Sequence, residues 1–126
     1  MKIIRNKFIP FPGYKAMNLF GILFVRGNAK IDEVTMNHES IHSRQFVELM
    51  VLFAVATVFI RWWLPVFAPF AFYVWYIIEW FVRLIQYRNF DKAYRNISFE
   101  LEAYTHQGDF SYLKGRRLFD FLRHIV

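Results

Sequence analysis

Residues 49–78 read LMVLFAVATVFIRWWLPVFAPFAFYVWYII, thirty positions with a single charge, Arg61. One helix of that length would measure about 45 Å, more than a single crossing of a ~30 Å hydrocarbon core requires. Pro65 and Pro69 divide the run, because proline lacks a backbone donor and clashes with the preceding helical turn. The sequence therefore predicts a helical hairpin, with transmembrane helices over about 46–63 and 64–87 and a tight turn over 61–65. Arg61, Trp62 and Trp63 place a cation and two aromatics where the chain would leave the bilayer. The uncharged core of the first helix, residues 49–60, is only 12 residues long. Arg44, Gln45 and Glu48 just upstream must then snorkel, face the partner helix or lie at the interface. The competing architecture is a soluble two-helix core that dimerises.

Composition agrees with the hairpin. The chain has 126 residues, the size of one domain spanning 1–126. Hydrophobic residues make up 56% and aromatics 21%, too much apolar surface for so short a chain to bury alone and far from a disordered composition. The absence of cysteine excludes disulfides and thiolate metal sites. Net charge is +6, and fifteen of the sixteen Lys and Arg residues lie outside the turn. Arg26, Lys30 and Arg44 flank the first helix, while Arg83, Arg88, Lys92 and Arg95 flank or end the second. The positive-inside rule then places both termini in the cytoplasm. The cations flank apolar helices and form no stripe with stacking aromatics, so the lipid bilayer, and not nucleic acid, is the expected partner. MKIIRNKFIPFPGYK at the start has no apolar run with a cleavage site, so it does not read as a signal peptide.

The flanks read as small structured pieces. Pro10, Pro12 and Gly13 make residues 2–13 an extended segment with turns. Residues 16–26, AMNLFGILFVR, suit one strand or two short ones, with Gly21 as a bulge. Gly27-Asn28 signals a turn, and Asp32 an N-cap for a helix running into the first membrane segment. Residues 88–97 form a polar, basic connection. Ser98 is an expected N-cap for a helix to about His106, which Gly108-Asp109 would end. In residues 110–125, Phe110, Leu113, Leu118, Phe119, Phe121, Leu122 and Ile125 interleave with Lys114, Arg116, Arg117 and Arg123. That segment reads as a helix packed on the domain or lying on anionic lipid. The expected fold is mainly α and integral to the membrane, a transmembrane hairpin with a small cytoplasmic α+β part.

One motif carries chemistry. His38-Glu39-Ser40-Ile41-His42 is an HExxH sequence on a predicted helix just after a predicted strand. Helical residues at i and i+4 share a face, so both imidazoles can bind one zinc, and Glu39 can serve as general base toward water. A catalytic zinc needs a third protein ligand and an open position. Glu79, Asp91, Glu100, Glu102, His106 and Asp109 are the downstream candidates. His42 precedes Arg61 by 19 residues, about 28 Å of helix, which sets the metal at the cytoplasmic membrane surface.

NHESIHSRQ, the hairpin and then AYRNISFELEAY together resemble a family of small bacterial HExxH membrane proteins. The two motif helices also look like those of gluzincin metalloproteases, such as the CAAX prenyl protease, the heat-shock membrane protease and the beta-lactam sensor protease. In those enzymes a second helix supplies the third zinc ligand as the glutamate of E-x-x-A-D. Glu100-Leu101-Glu102-Ala103-Tyr104 matches E-x-x-A, and the resemblance implies Glu100 as ligand ahead of Glu102. Tyr104 stands where those proteases carry aspartate. The resemblance implies a zinc-dependent metallopeptidase of a bacterial inner membrane, with His38, His42 and Glu100 holding Zn2+, Glu39 as catalytic base, and a peptide or protein as substrate. So small a fold leaves a homo-oligomer or partner protein to complete the substrate cleft. The alternative from another class is a non-catalytic adaptor or sensor with a structural metal or none.

Several further residues enter the reading. Glu79 in an apolar stretch calls for a partner, and Arg83 at i+4 is the obvious one. Orienting a zinc-bound histidine is its functional alternative. Gln45 and Arg44 lie close enough to His42 to contact the site. Tyr94, Arg95, Tyr104 and His106 are candidates to stabilise an oxyanion. The strand over 21–25 could pair its edge with an extended peptide.

Overall fold

A computed structural model describes residues 2–6, 16–27 and 30–125. Pro10, Pro12, Gly13 and Asn28 lie outside the described residues. The chain is mainly helical with one small sheet. α1 spans Glu33–Val58, 26 residues without a break. Asp32 caps it as its sequence implies, accepting from the Thr35 N–H at 2.7 Å. Residues 59–63 form the turn, where the Thr57 carbonyl accepts from the Ile60 and Arg61 N–H groups. The first helix thus stops at Val58, short of the expected 63. The Thr57 hydroxyl bonds back to the Phe53 carbonyl at 2.7 Å, a competitor of helical continuation.

The second span is composite. Leu64–Phe70 is a 3-10 turn with Pro65 at its start and Pro69 inside, and α2 follows over Ala71–Tyr87. Proline cannot donate to the ladder, so the tighter geometry persists until both prolines are passed. Glu33–Val58 and Leu64–Tyr87 are each long and apolar enough to cross a membrane. Their outward stripes, Val47, Val51 and Val55 on α1 and Val74, Ile78, Phe81 and Ile85 on α2, are exposed.

Strands β1 (Lys2–Asn6), β2 (Ala16–Leu19) and β3 (Ile22–Arg26) form a sheet in the order β1-β3-β2. β1 runs parallel to β3, and β2 antiparallel, with Leu19 opposite Ile22. Phe20 and Gly21 between them have φ of 54° and 79°. Two central residues at positive φ define the hairpin turn that matches strand twist, so Gly21 is a turn residue and not a bulge. β3 is central, so residues 22–25 have no edge to offer; among the described residues β1 and β2 are the outer strands. The turn is pinned to α2 by the Phe20 N–H, which donates to the Tyr73 hydroxyl at 2.6 Å. Asn18 Nδ2 fixes β2 to α1 through the Glu39 carbonyl (2.9 Å) and the Ser43 hydroxyl (2.7 Å).

The connection expected over 88–97 contains a helix, α3, over Phe90–Arg95, capped by Asn89. α4 spans Ser98–His106. Ser98 is its first helical residue and not its cap. The capping acceptor comes from α2: Glu79 takes the Ser98 N–H at 2.8 Å and the Ser98 hydroxyl at 2.7 Å. Glu79 also accepts from Trp75 Nε1 at 3.0 Å and lies 3.6 Å from Arg83. Its partners therefore position α4 and do not include either histidine of the motif.

The C-terminal segment is not one helix. It comprises α5 (Tyr112–Gly115) and a 3-10 turn over Asp120–His124. Arg116 causes the break. Its fully buried side chain pairs with Glu48 of α1 at 2.6 Å and with both Glu102 oxygens of α4 at 2.9 Å. A cation that seemed destined for water or lipid is instead an internal clamp. Phe46, Leu49, Phe72, Ile97, Phe99 and Phe121 form the core that joins α1, α2, α4 and the C-terminal turn. Phe99 stacks on Phe72 with ring centroids 4.5 Å apart.

Candidate metal centre

The helical period places His38 and His42 one turn apart on the buried face of α1. Glu79 fixes the start of α4, so Glu100, in the first turn of that helix, lies opposite both imidazoles. The three donor atoms form a near-equilateral triangle. His38 Nε2 and His42 Nε2 are 3.1 Å apart, and each lies 3.3 Å from Glu100 Oε2. Four-coordinate zinc with bonds of 2.0–2.1 Å separates neighbouring ligand atoms by about 3.3 Å. The triangle therefore has the dimensions of three corners of a zinc tetrahedron.

The hydrogen bonds behind the triangle settle which nitrogens face it. His38 Nδ1 meets Gln107 Oε1 at 2.9 Å, and His42 Nδ1 meets Gln45 Oε1 at 2.9 Å. Gln45 is oriented by its own Nε2, which donates to the Phe99 carbonyl at 3.1 Å and to Glu102 at 3.3 Å. An amide oxygen only accepts, so each Nδ1 carries a hydrogen, and in the neutral ring each Nε2 presents its lone pair. Two lone pairs and a carboxylate oxygen aimed at one point repel unless a metal ion or a proton on an imidazole sits among them; without a metal, and despite burial, Glu100 lifts His42 above the usual imidazole range. The two glutamines hold the tautomers, the task that an acidic partner performs in many metal sites.

Glu100 is held from its other side by the Tyr76 hydroxyl, which donates to Oε1 at 2.8 Å. Burial alone would raise the Glu100 carboxyl, but the attraction of His42 and hydrogen bonds from both histidines hold it below the usual carboxylate range. Burial pushes the Tyr94 phenol up, with Glu100 and Tyr104 adding to the effect, so Tyr94 keeps its proton and can donate. Tyr104 packs edge-on against His38 with centroids 4.5 Å apart. It covers the imidazole without accepting from it.

Glu39 is half-buried beside the triangle and borders an open cavity of about 650 Å3 together with His38, His42, Glu100 and the β2 edge. Burial raises the Glu39 carboxyl above the usual carboxylate range, against the lowering attraction of His42 and His38 and a hydrogen bond from the Asn18 backbone. Phe46, Phe72 and Tyr73 supply an apolar wall.

The structure thus brings together His38, His42 and Glu100, a group that could hold a metal ion, with Glu39 at its side. The other third-ligand candidates go elsewhere. Glu102 is taken by Arg116, Asp91 pairs with Arg95 at 3.1 Å, Asp109 closes a turn on Ser111, and His106 stacks on Tyr112. Arg44 is exposed. Sequence reasoning missed Gln107, Tyr76 and Asn37. Asn37 Nδ2 faces the carbonyls of His106, Gln107 and Asp109 at 2.8–3.1 Å and so ties the end of α4 to the motif. Asn37 adjoins the motif and could have been weighed; nothing in the spacing singles out Gln107 or Tyr76. No protein-family model, curated protein or solved structure matches the chain.

Proposed function

We propose that the chain is a zinc-dependent metallopeptidase of a bacterial inner membrane, hydrolysing a peptide bond at the cytoplasmic membrane surface. One observation carries this reading: two imidazole nitrogens and a carboxylate converge with tetrahedral spacing beside Glu39 and an open cavity. His38, His42 and Glu100 would hold the metal. When bound, zinc supplies Lewis acidity toward a carbonyl oxygen and lowers the pKa of water toward 7.

The remaining tasks fall to the chain's own groups. Glu39 takes a proton from the attacking water on its carboxylate and returns it to the leaving nitrogen. Tyr94, which keeps its proton beside Tyr104 and Glu100, lines the same cavity and could turn its O–H toward a developing oxyanion. The outer edge of β2, which borders the cavity, can pair with an extended peptide and lay it along the cavity, with Phe46, Phe72 and Tyr73 receiving an apolar side chain.

The membrane setting rests on the exposed apolar stripes of both long helices. Only 33% of the apolar window on α1 and 11% of that on the second span are buried within the protein, whereas a soluble core helix hides most of its surface. β2 bonds to Glu39 and Ser43, and α4 meets His38 and His42, so the sheet and α4 sit at the histidine end of α1. The excess of cations outside the turn then favours the cytoplasm for that side.

The test is Glu39→Gln in detergent-purified protein. Zinc content and melting temperature should match wild type, and hydrolysis of a peptide library should fall by about 100-fold or more. Hydrolysis that persists unchanged would exclude the mechanism. Bound zinc without hydrolysis in either protein would favour the adaptor or sensor.

A further inference from the structure

The chain has four histidines, and they fall into two pairs, each beside a carboxylate. The second group is His106, Asp120 and His124, with one ligand atom from each lying within 4.8 Å of the others. His106 is the last residue of α4; Asp120 and His124 open and close the C-terminal 3-10 turn. Residues so far apart in the sequence converge only because Phe121 is anchored in the core beside Phe99, with centroids 4.7 Å apart.

The surroundings are arranged around the donors. His124 Nδ1 lies 3.1 Å from the Asp120 backbone carbonyl. A carbonyl only accepts, so Nδ1 carries the hydrogen and Nε2 keeps its lone pair. The His106 ring lies flat on Tyr112 at 3.9 Å and stands edge-on to His124 at 5.4 Å. The Tyr112 hydroxyl donates to Asp120 Oδ2 at 2.6 Å, and Arg123 Nη1 to Oδ1 at 3.1 Å. A carboxylate offers about four acceptor positions, so two donors orient Asp120 and leave room for a further bond. Ligating carboxylates are commonly oriented in this way.

We propose that His106, Asp120 and His124 form a second divalent-cation site. Its N2O donor set suits zinc, cobalt, nickel or copper; magnesium and calcium favour all-oxygen sites. The group is wider than the first triangle. Both imidazoles are half-buried and have room to close on an ion, whose remaining positions go to water. Occupancy would tie the C-terminal turn to the end of α4. The next residue, Gln107, holds His38, so the second site braces the first through one peptide link.

Cobalt titration of chelator-stripped, detergent-purified protein tests this, because bound Co2+ in such sites absorbs visibly. Wild type should take up two equivalents. His42→Ala, which breaks the first site, should still take up one, and its melting temperature should rise on loading. His42→Ala combined with His124→Ala should take up none, and His124→Asn should behave likewise, with far-UV circular dichroism confirming that each variant folds. A His42→Ala protein that binds no cobalt, or one whose binding survives both His124 substitutions, would overturn the proposal. Wild-type uptake of one equivalent, lost in His124→Ala and kept in His42→Ala, would support this site while refuting the zinc reading of the first.

Discussion

Arg116→Met removes the cation from between two buried carboxylates. Arg116 and Glu102 are fully buried and the Glu48 side chain is 4% exposed. The guanidinium makes two bonds to Glu102 and one to Glu48. Breaking a buried pair by deleting one partner costs about 3–5 kcal/mol, because the charge left behind is neither solvated nor paired. Here two carboxylates are stranded, so the upper end of that range is expected. Against a total stability of about 5–15 kcal/mol, the loss would leave the C-terminal part barely folded. The assay is chemical denaturation in detergent micelles, followed by tryptophan fluorescence. The double variant Arg116→Met with Glu102→Gln should lose clearly less than the sum of the two single changes, since one stranded charge is gone. A loss below about 1 kcal/mol for Arg116→Met would show that the clamp does not hold the fold, and would refute the account of why the C-terminal segment breaks at this residue.

Three further outcomes follow from the same contacts. Tyr76→Phe removes the donor to Glu100 Oε1 and should weaken zinc binding by about 10-fold, read by competition with a chromogenic chelator. Glu79→Ala deprives Ser98 of its N–H and hydroxyl acceptor and should destabilise by about 2 kcal/mol in the same denaturation assay, while Glu79→Gln, which keeps an acceptor, should lose less. Gln45→Leu frees the tautomer of His42 and removes the side-chain donor to the Phe99 carbonyl. Zinc affinity should drop by about 10–100-fold in equilibrium dialysis, and an unchanged value would show that the glutamine does not orient the ring.

The hairpin was readable because apolar length is a one-dimensional property. Thirty residues with one charge need no knowledge of what lies beside them. The Asp32 cap, the start of α4 and the i, i+4 histidine face were readable for the same reason, since each depends on local spacing. The misreadings share the opposite cause. Gly21 looked like a bulge because its partner in the turn, Phe20, is an unusual residue at positive φ. α3 was hidden because Arg88, at φ 52°, ends α2 without the glycine that usually marks such a stop. Ser98 has the right side chain for a cap, yet a glutamate 19 positions earlier does the work. Arg116 carries the charge of a surface residue, and only the meeting of Glu48 and Glu102 makes an interior place for it. The glutamines behind the histidines were half visible. Gln45 sits one turn from His42, whereas Gln107 reaches His38 across 69 positions.

The histidine–glutamate triangle draws on both halves of the hairpin and on α4. The imidazoles ride on the first rod, while the supports of Glu100, namely Tyr76 and Glu79, ride on the second. Neither half owns a complete set of donors. The triangle therefore closes only when the two rods have met and α4 has docked on them; on the proposed reading, ion uptake during biosynthesis would signal that the hairpin has assembled correctly.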